Sequence, residues 1–266
     1  MNASQRALRF SCGGSGLVGI VDVPERPLPR GVLVVTGGPQ YRIGSHRQFT
    51  LLARMLAQRG IPVMRFDRRG MGDSDGEPRS YDRIDEDIRA AMKEFFIQMP
   101  EMKEVVIWGL CDAATAAAFY VGSDERVCGL VLLNPWVRTP EGAARAMLRH
   151  YYLARLGEVA FWKKVASGNL DFAASAAALR KNMRLAASDK GAMLPQRVVD
   201  SLAGFGGQVL VVLSEDDLTA AEFARLMVRH NVRAKRIDID GANHTFASQK
   251  WRTQVAEASA NWIMSW

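Results

Sequence analysis

Short apolar runs alternate with segments of helical period along most of the chain. Residues 31–36 (GVLVVT) form a continuous apolar run, the pattern of a strand covered on both faces, and 105–108 is another. Further strands are expected at 62–66, 129–133, 209–213 and 234–239. Between them, 49–59, 82–98, 114–121, 220–230 and 251–266 carry helical periodicity. Asp85, Glu86 and Asp87 stand early in the second of these, where acids complement the helix dipole. Residues 5–12 and 16–23, joined by Gly13-Gly14-Ser15, read as an antiparallel hairpin at a sheet edge. Strands alternating with helices imply an α/β fold, a mostly parallel sheet with helices on both faces. The alternation stops between Pro135 and about residue 207, where only helical patterns rich in Ala, Leu, Met and Arg occur. The expected organisation is one core domain, 1–134 with 208–266, and an all-helical insertion at 135–207. A chain of 266 residues suits that arrangement better than two independent domains.

Composition narrows the setting. Apolar residues make up 48% and charged residues 24%, as in soluble globular proteins, and no apolar stretch is long enough to span a bilayer. Residues 1–24 alternate polar and apolar positions without the apolar core of an export signal, so a cytoplasmic location is expected. Three cysteines, Cys12, Cys111 and Cys128, make no disulfide framework, and no Cys/His cluster has metal-ligand spacing. Neither metal nor cofactor is therefore expected. The net charge of +7 is confined to one place: residues 137–197 hold eleven lysines and arginines against four acids, and the remainder balances. A local excess says more about that segment than about a nucleic-acid partner, and none is expected.

Three features at strand ends carry chemistry. In an open parallel sheet, ligands sit at the carboxyl ends of the strands. Gly109-x-Cys111-x-Ala113 follows a buried strand and opens a helix, the context a nucleophile elbow requires. The turn strains the nucleophile's backbone and admits only very small residues two positions before and after it. A helix N-terminus beneath a thiol favours thiolate. Gly241-Ala-Asn-His244 follows the final strand, where a histidine can reach over the elbow and deprotonate the thiol. Ser214-Glu-Asp-Asp217 follows an earlier strand. A carboxylate there would fix the His244 tautomer, and Asp216 and Asp217 compete for that role. Two backbone amides are expected to form an oxyanion hole: that of Asp112, next after the cysteine, and that of Gly38, in the Gly37-Gly38-Pro39 loop. Pro39 has no N–H to donate.

Taken in order, these segments resemble the α/β-hydrolase superfamily over essentially the whole chain. The matching pieces are the Thr36-Gly-Gly-Pro39 loop, the Asp67-x-Arg-Gly-x-Gly-x-Ser74 loop, the cysteine elbow, the acid loop and the Asn-His244 loop. The resemblance implies a Cys111–His244–Asp217 triad, since Asp217 stands where the common Gly-Glu-x-Asp pattern places the acid. Gly38 and Asp112 become the oxyanion donors. Two departures stand out: Thr36 where the family commonly has histidine, and Cys111 where it commonly has serine. Dienelactone hydrolases look similar in using cysteine at this elbow. Gly37-Gly-Pro-Gln-Tyr-Arg-Ile-Gly-Ser-His-Arg-Gln-Phe49 together with Gly109-Leu-Cys-Asp-Ala113 resembles the first hydrolase associated with exosortase A systems. That resemblance implies a bacterial cytoplasm and a context of exopolysaccharide synthesis and protein sorting.

The activity these features point to is hydrolysis of an ester or thioester through an acyl-cysteine. The alternatives are acyl transfer to a sugar or alcohol, and a non-catalytic partner protein that retains the fold. Arg42, His46 and Arg47 follow the oxyanion loop, where they would meet a carboxylate or phosphate, or else merely flank a helix start as surface charge. Trp136, after Asn134-Pro135, is expected to line the pocket. The 135–207 segment resembles the cap that many such enzymes place over the site. Its basic excess has three readings: steering of an anionic, carrier-linked acyl substrate, a solvated surface, or peripheral contact with anionic lipid. Steering predicts a kcat/KM that falls steeply with ionic strength for charged substrates only, and a salt-independent rate on such substrates removes it.

Overall fold

The computed structural model describes residues 3–137 and 193–266. Its strands are β1 (Ala3–Cys12), β2 (Ser15–Pro24), β3 (Arg30–Val35), β4 (Val63–Phe66), β5 (Glu104–Leu110), β6 (Val127–Leu133), β7 (Gln208–Ser214) and β8 (Lys235–Ile239). The α-helices among the described residues are α1 (Gln48–Gln58), α2 (Asp85–Gln98), α3 (Asp112–Tyr120), α4 (Leu194–Gly204), α5 (Leu218–His230) and α6 (Gln249–Ile263). The strands form one sheet in the order β1-β2-β4-β3-β5-β6-β7-β8. From β4 across to β8 every pairing is parallel, while β2 runs antiparallel to both β1 and β4. The expected edge hairpin is thus present. Gly13 and Gly14 turn it at φ of +54° and +83°, values that a tight hairpin turn demands and that glycine adopts without strain.

Observed elements follow the apolar pattern with small shifts at their ends. Helix α2 begins at Asp85, because residues Tyr81–Arg83 form a separate turn of 3-10 helix. Its three acids therefore all lie in the first turn. Strand β5 extends to Leu110 and so runs directly into the elbow. The central strands are buried on both faces, as their unbroken apolar runs require. On one face Val34, Val106, Trp108, Val131 and Val212 pack with Phe49 and Leu56 of α1 and with Val255 and Ala260 of α6. Helices α2 and α3 contact strands β3, β5 and β6.

The chain divides into two compact units, Met1–Trp136 with Val198–Trp266, and Val137–Arg197. Most of the expected helical insertion, and with it the basic segment, lies outside the described residues; its final part contains α4. Among the described residues no helix is long and apolar enough to cross a membrane.

One charge pair is buried in the sheet. Arg65 on β4 donates through Nε and Nη2 to Asp22 Oδ2 on β2, at 3.2 and 3.1 Å. Its Nη1 reaches Thr50 Oγ1 on α1 at 3.1 Å and the Arg42 carbonyl at 3.0 Å. Burial pushes the Arg65 pKa down, and the charge and hydrogen bonds of Asp22 oppose that. The side chains are only 1% and 2% exposed, so loss of one partner would strand the other in a low dielectric. Asp22→Ala is expected to lower stability by about 3–5 kcal/mol in urea unfolding, with Asp22→Asn, which keeps an acceptor, losing less.

Candidate active site

Strand β5 delivers Cys111 to the N-terminus of α3 with φ +61° and ψ −122°. A residue with a side chain rarely adopts positive φ, and holding one there costs on the order of 1–3 kcal/mol. The surroundings enforce it. The Cys111 amide donates to the Leu133 carbonyl at the end of β6, at 2.8 Å. Its carbonyl accepts from the amides of Ala114 (3.1 Å), Thr115 (3.3 Å) and Trp136 (3.2 Å). A Cβ on Gly109 would stand 2.8 Å from the Ala113 carbonyl and from the Ala114 nitrogen, so that close crossing of strand and helix admits only glycine. The half-buried thiol is left at the carboxyl edge of the sheet.

The loops after β7 and β8 bring the other two residues together. His244 Nδ1 lies 2.8 Å from Asp217 Oδ2, and the Cys111 side chain is near enough to the ring to bear on its pKa. The same Oδ2 accepts the Ala220 amide at 3.0 Å, so Asp217 is also the N-cap of α5. Asp216 is exposed, and its amide donates to the Ala242 carbonyl. Hydrogen bonds to Asp217 and then to Cys111 raise the His244 pKa from 6.5 to about 10, against the opposing effect of burial. For Asp217, burial favours the neutral acid, but the His244 hydrogen bond and charge and the amides of Ala220 and Thr219 outweigh it and hold the pKa low.

Gly38 has φ +49° and lies in the loop after β3. Its N–H donates to Asp112 Oδ2 at 3.0 Å, and Arg68 Nη2 donates to its carbonyl at 2.8 Å. The expected oxyanion loop therefore adjoins the elbow, with the Asp112 side chain on the Gly38 amide.

The flanking residues differ in placement. Arg42, read as either an anion contact or surface charge at a helix start, has its guanidinium committed to Asp67, through Nη1, and to Asp73, 2.6 Å from Nη2. Its amide donates to Asp67 as well, at 2.6 Å. Fully buried Asp67 draws these donors because its charge has no water to meet it. His46 and Arg47 are exposed, with φ of +52° and +61° where the chain turns into α1. Trp136 is half-buried, and its backbone closes on Cys111; its carbonyl accepts from Thr115 Oγ1 at 2.7 Å.

Sequence reasoning missed Asn134 and Arg68. Asn134 is fully buried with φ +42°. Its Nδ2 donates to Ser214 Oγ and to the His244 carbonyl at 2.9 Å, and its Oδ1 accepts the Ser214 amide at 2.9 Å. It thereby ties the ends of β6 and β7 to the histidine loop. A polar residue between an apolar strand and Pro135 was the available signal. Arg68, in an arginine pair beside a turn, gave none.

Residues 32–258 match the model of the alpha/beta hydrolase family, and the chain belongs to that family. Among solved structures it is similar to an esterase of Pyrococcus furiosus, with a TM-score of 0.71 and 16% identity over 99% of this chain and 92% of that one. It is similar to Est1E of Butyrivibrio proteoclasticus with ferulic acid bound (0.66, 17%, 97% and 98%). It is also similar to dienelactone hydrolase from Anabaena variabilis (0.65, 15%, 100% and 99%). At these identities the likeness is one of fold. A shorter likeness, 29% identity over 94 residues, is to the polyketide transferase grgF of a Penicillium species; it spans 32% of this chain and 31% of that protein.

Asp217→Asn removes the principal cause of the raised His244 pKa and is expected to bring it from about 10 back towards 6.5, as followed by NMR titration of the ring. Linkage sets the sign for stability. A pKa raised on folding contributes stability that is fully present below 6.5 and is lost as pH rises through about 10, and Asp217→Asn should flatten that alkaline slope in thermal unfolding.

Proposed function

We propose that the protein hydrolyses an ester or thioester through a covalent acyl-Cys111 intermediate. The observation that carries this reading is the 2.8 Å contact of His244 Nδ1 with Asp217, beside a cysteine in a strained elbow whose side chain bears on the ring's pKa. With Nδ1 engaged, Nε2 is the nitrogen left to serve the thiol. Cys111 gives its proton to His244, and its sulfur attacks the acyl carbonyl carbon, forming the S–C bond. The carbonyl π electrons move onto oxygen, and the amides of Gly38 and Asp112 donate hydrogen bonds to the resulting oxyanion. Collapse breaks the bond to the leaving group, which takes the proton from His244. Water then gives a proton to His244 and attacks the thioester. The S–C bond breaks, the acid departs and Cys111 recovers its proton. Asp217 holds the ring and its charge throughout.

The likeness to a polyketide transferase supports a second reading, in which a sugar or alcohol takes the place of water. The Gly37–Phe49 segment and the Gly-Leu-Cys-Asp-Ala elbow support an exosortase-associated setting in the bacterial cytoplasm, with an acyl group met in exopolysaccharide synthesis as substrate.

Incubation with activated acyl esters and acyl-thioesters, acid quench and peptide mass spectrometry test the reading. An acyl mass on the Cys111 peptide is expected, absent in Cys111→Ala, with added acceptor diverting product only if transfer is the reaction. Folded protein that gains no adduct from any donor would overturn it.

A further inference from the structure

The carboxylate of Asp112 stands at the amide that the acyl oxygen needs. Its Oδ2 takes the Gly38 N–H at 3.0 Å. Its Oδ1 lies 2.1 Å from the position of a Cβ on Gly37, so glycine is required at 37 while the carboxylate is there. The Gly38 peptide is held at both ends, since buried Arg68 donates to its carbonyl at 2.8 Å. Asp112 is the first residue of α3 and half-buried. One residue thus supplies a backbone amide to the expected hole and a side chain that fills it.

We propose that Asp112 is a specificity-determining residue whose carboxylate occupies the oxyanion site of the free enzyme and must be displaced by the substrate's acyl oxygen. The proposal rests on the reading of Gly38 as an oxyanion donor. A carboxylate oxygen on that N–H imitates the oxyanion in charge and distance, and it holds the loop in a shape ready for one. It cannot stay there during acylation, because two anionic oxygens would then share one donor. Charge-assisted hydrogen bonds are about twice as strong as neutral ones, so the exchange is costly for a donor that brings only its carbonyl. A substrate bound by the rest of its acyl chain or its leaving group supplies the displacement from remote binding. The carboxylate thereby protects a reactive cysteine from small esters and thioesters and reserves it for an extended substrate.

The test compares two reactions of Cys111 in the full-length wild type, Asp112→Ala and Asp112→Asn. Acylation by p-nitrophenyl acetate needs the oxyanion site, whereas alkylation by iodoacetamide does not. Both rate constants are read on the Cys111 peptide by mass spectrometry, and their ratio cancels any change in thiol reactivity. The ratio is expected to rise about tenfold or more in Asp112→Ala. It should rise less in Asp112→Asn, which keeps a neutral acceptor and the side-chain shape and so also serves if the alanine variant does not fold. A ratio that is unchanged or lower in a variant with wild-type circular dichroism would overturn the proposal and reduce Asp112 to an acid at a helix N-terminus. Acylation of wild-type Cys111 in that case would leave the proposed reaction standing. Alkylation without acylation in all three proteins would overturn both.

Discussion

The backbone of Cys111 is the constraint on which the rest of the site depends. A residue with a side chain sits at φ +61° only because several independent groups hold it there. The end of β6 binds its amide, the first turn of α3 and the Trp136 amide bind its carbonyl, and Gly109 lets strand and helix cross at contact distance. These contacts come from strands β5 and β6, from α3 and from the loop after β6. The strain is therefore borne by the whole β5–α3–β6 unit.

Around that fixed point, the loops at the sheet's carboxyl edge are joined by buried polar groups. Asn134 binds the β7 end and the histidine loop in one side chain. Asp67 gathers the turn of residues 67–74 and the segment that leads from Gly38 towards α1. Arg65 reaches that same segment through the Arg42 carbonyl. In a low dielectric such bonds are costly to break singly, so they help to hold these loops in one arrangement, and the histidine loop is held as well by buried Ala242 and Phe246.

This explains what could be read from the chain and what could not. Strand and helix positions were legible because runs such as 31–36 and 105–108 leave one sensible burial pattern. The elbow and the His244 and Asp217 loops were legible because each is a short motif at the end of such a run. Choosing Asp217 over Asp216 needed a family pattern, and the fold gives the physical reason: one carboxylate faces the ring and the other faces solvent. Arg42 stayed open between an anion contact and surface charge because its partner, a buried aspartate 25 residues away, leaves no local mark in the sequence. Asn134, Arg68 and the Asp112 side chain act through contacts between distant segments, and no local pattern records those.

The shared oxygen of Asp217 has a consequence for the direction in which protons travel. The atom that faces the imidazole is also the one that closes the first turn of α5. A helix N-terminus draws electron density from that oxygen and makes it a poor base. When the ring becomes an imidazolium, the carboxylate therefore has little tendency to take the Nδ1 proton. In the proposed reaction the ring's positive charge would stay whole and its other nitrogen would be the place where a proton is gained or given up, so α5 would act as a rectifier that keeps proton movement on the thiol side of the histidine.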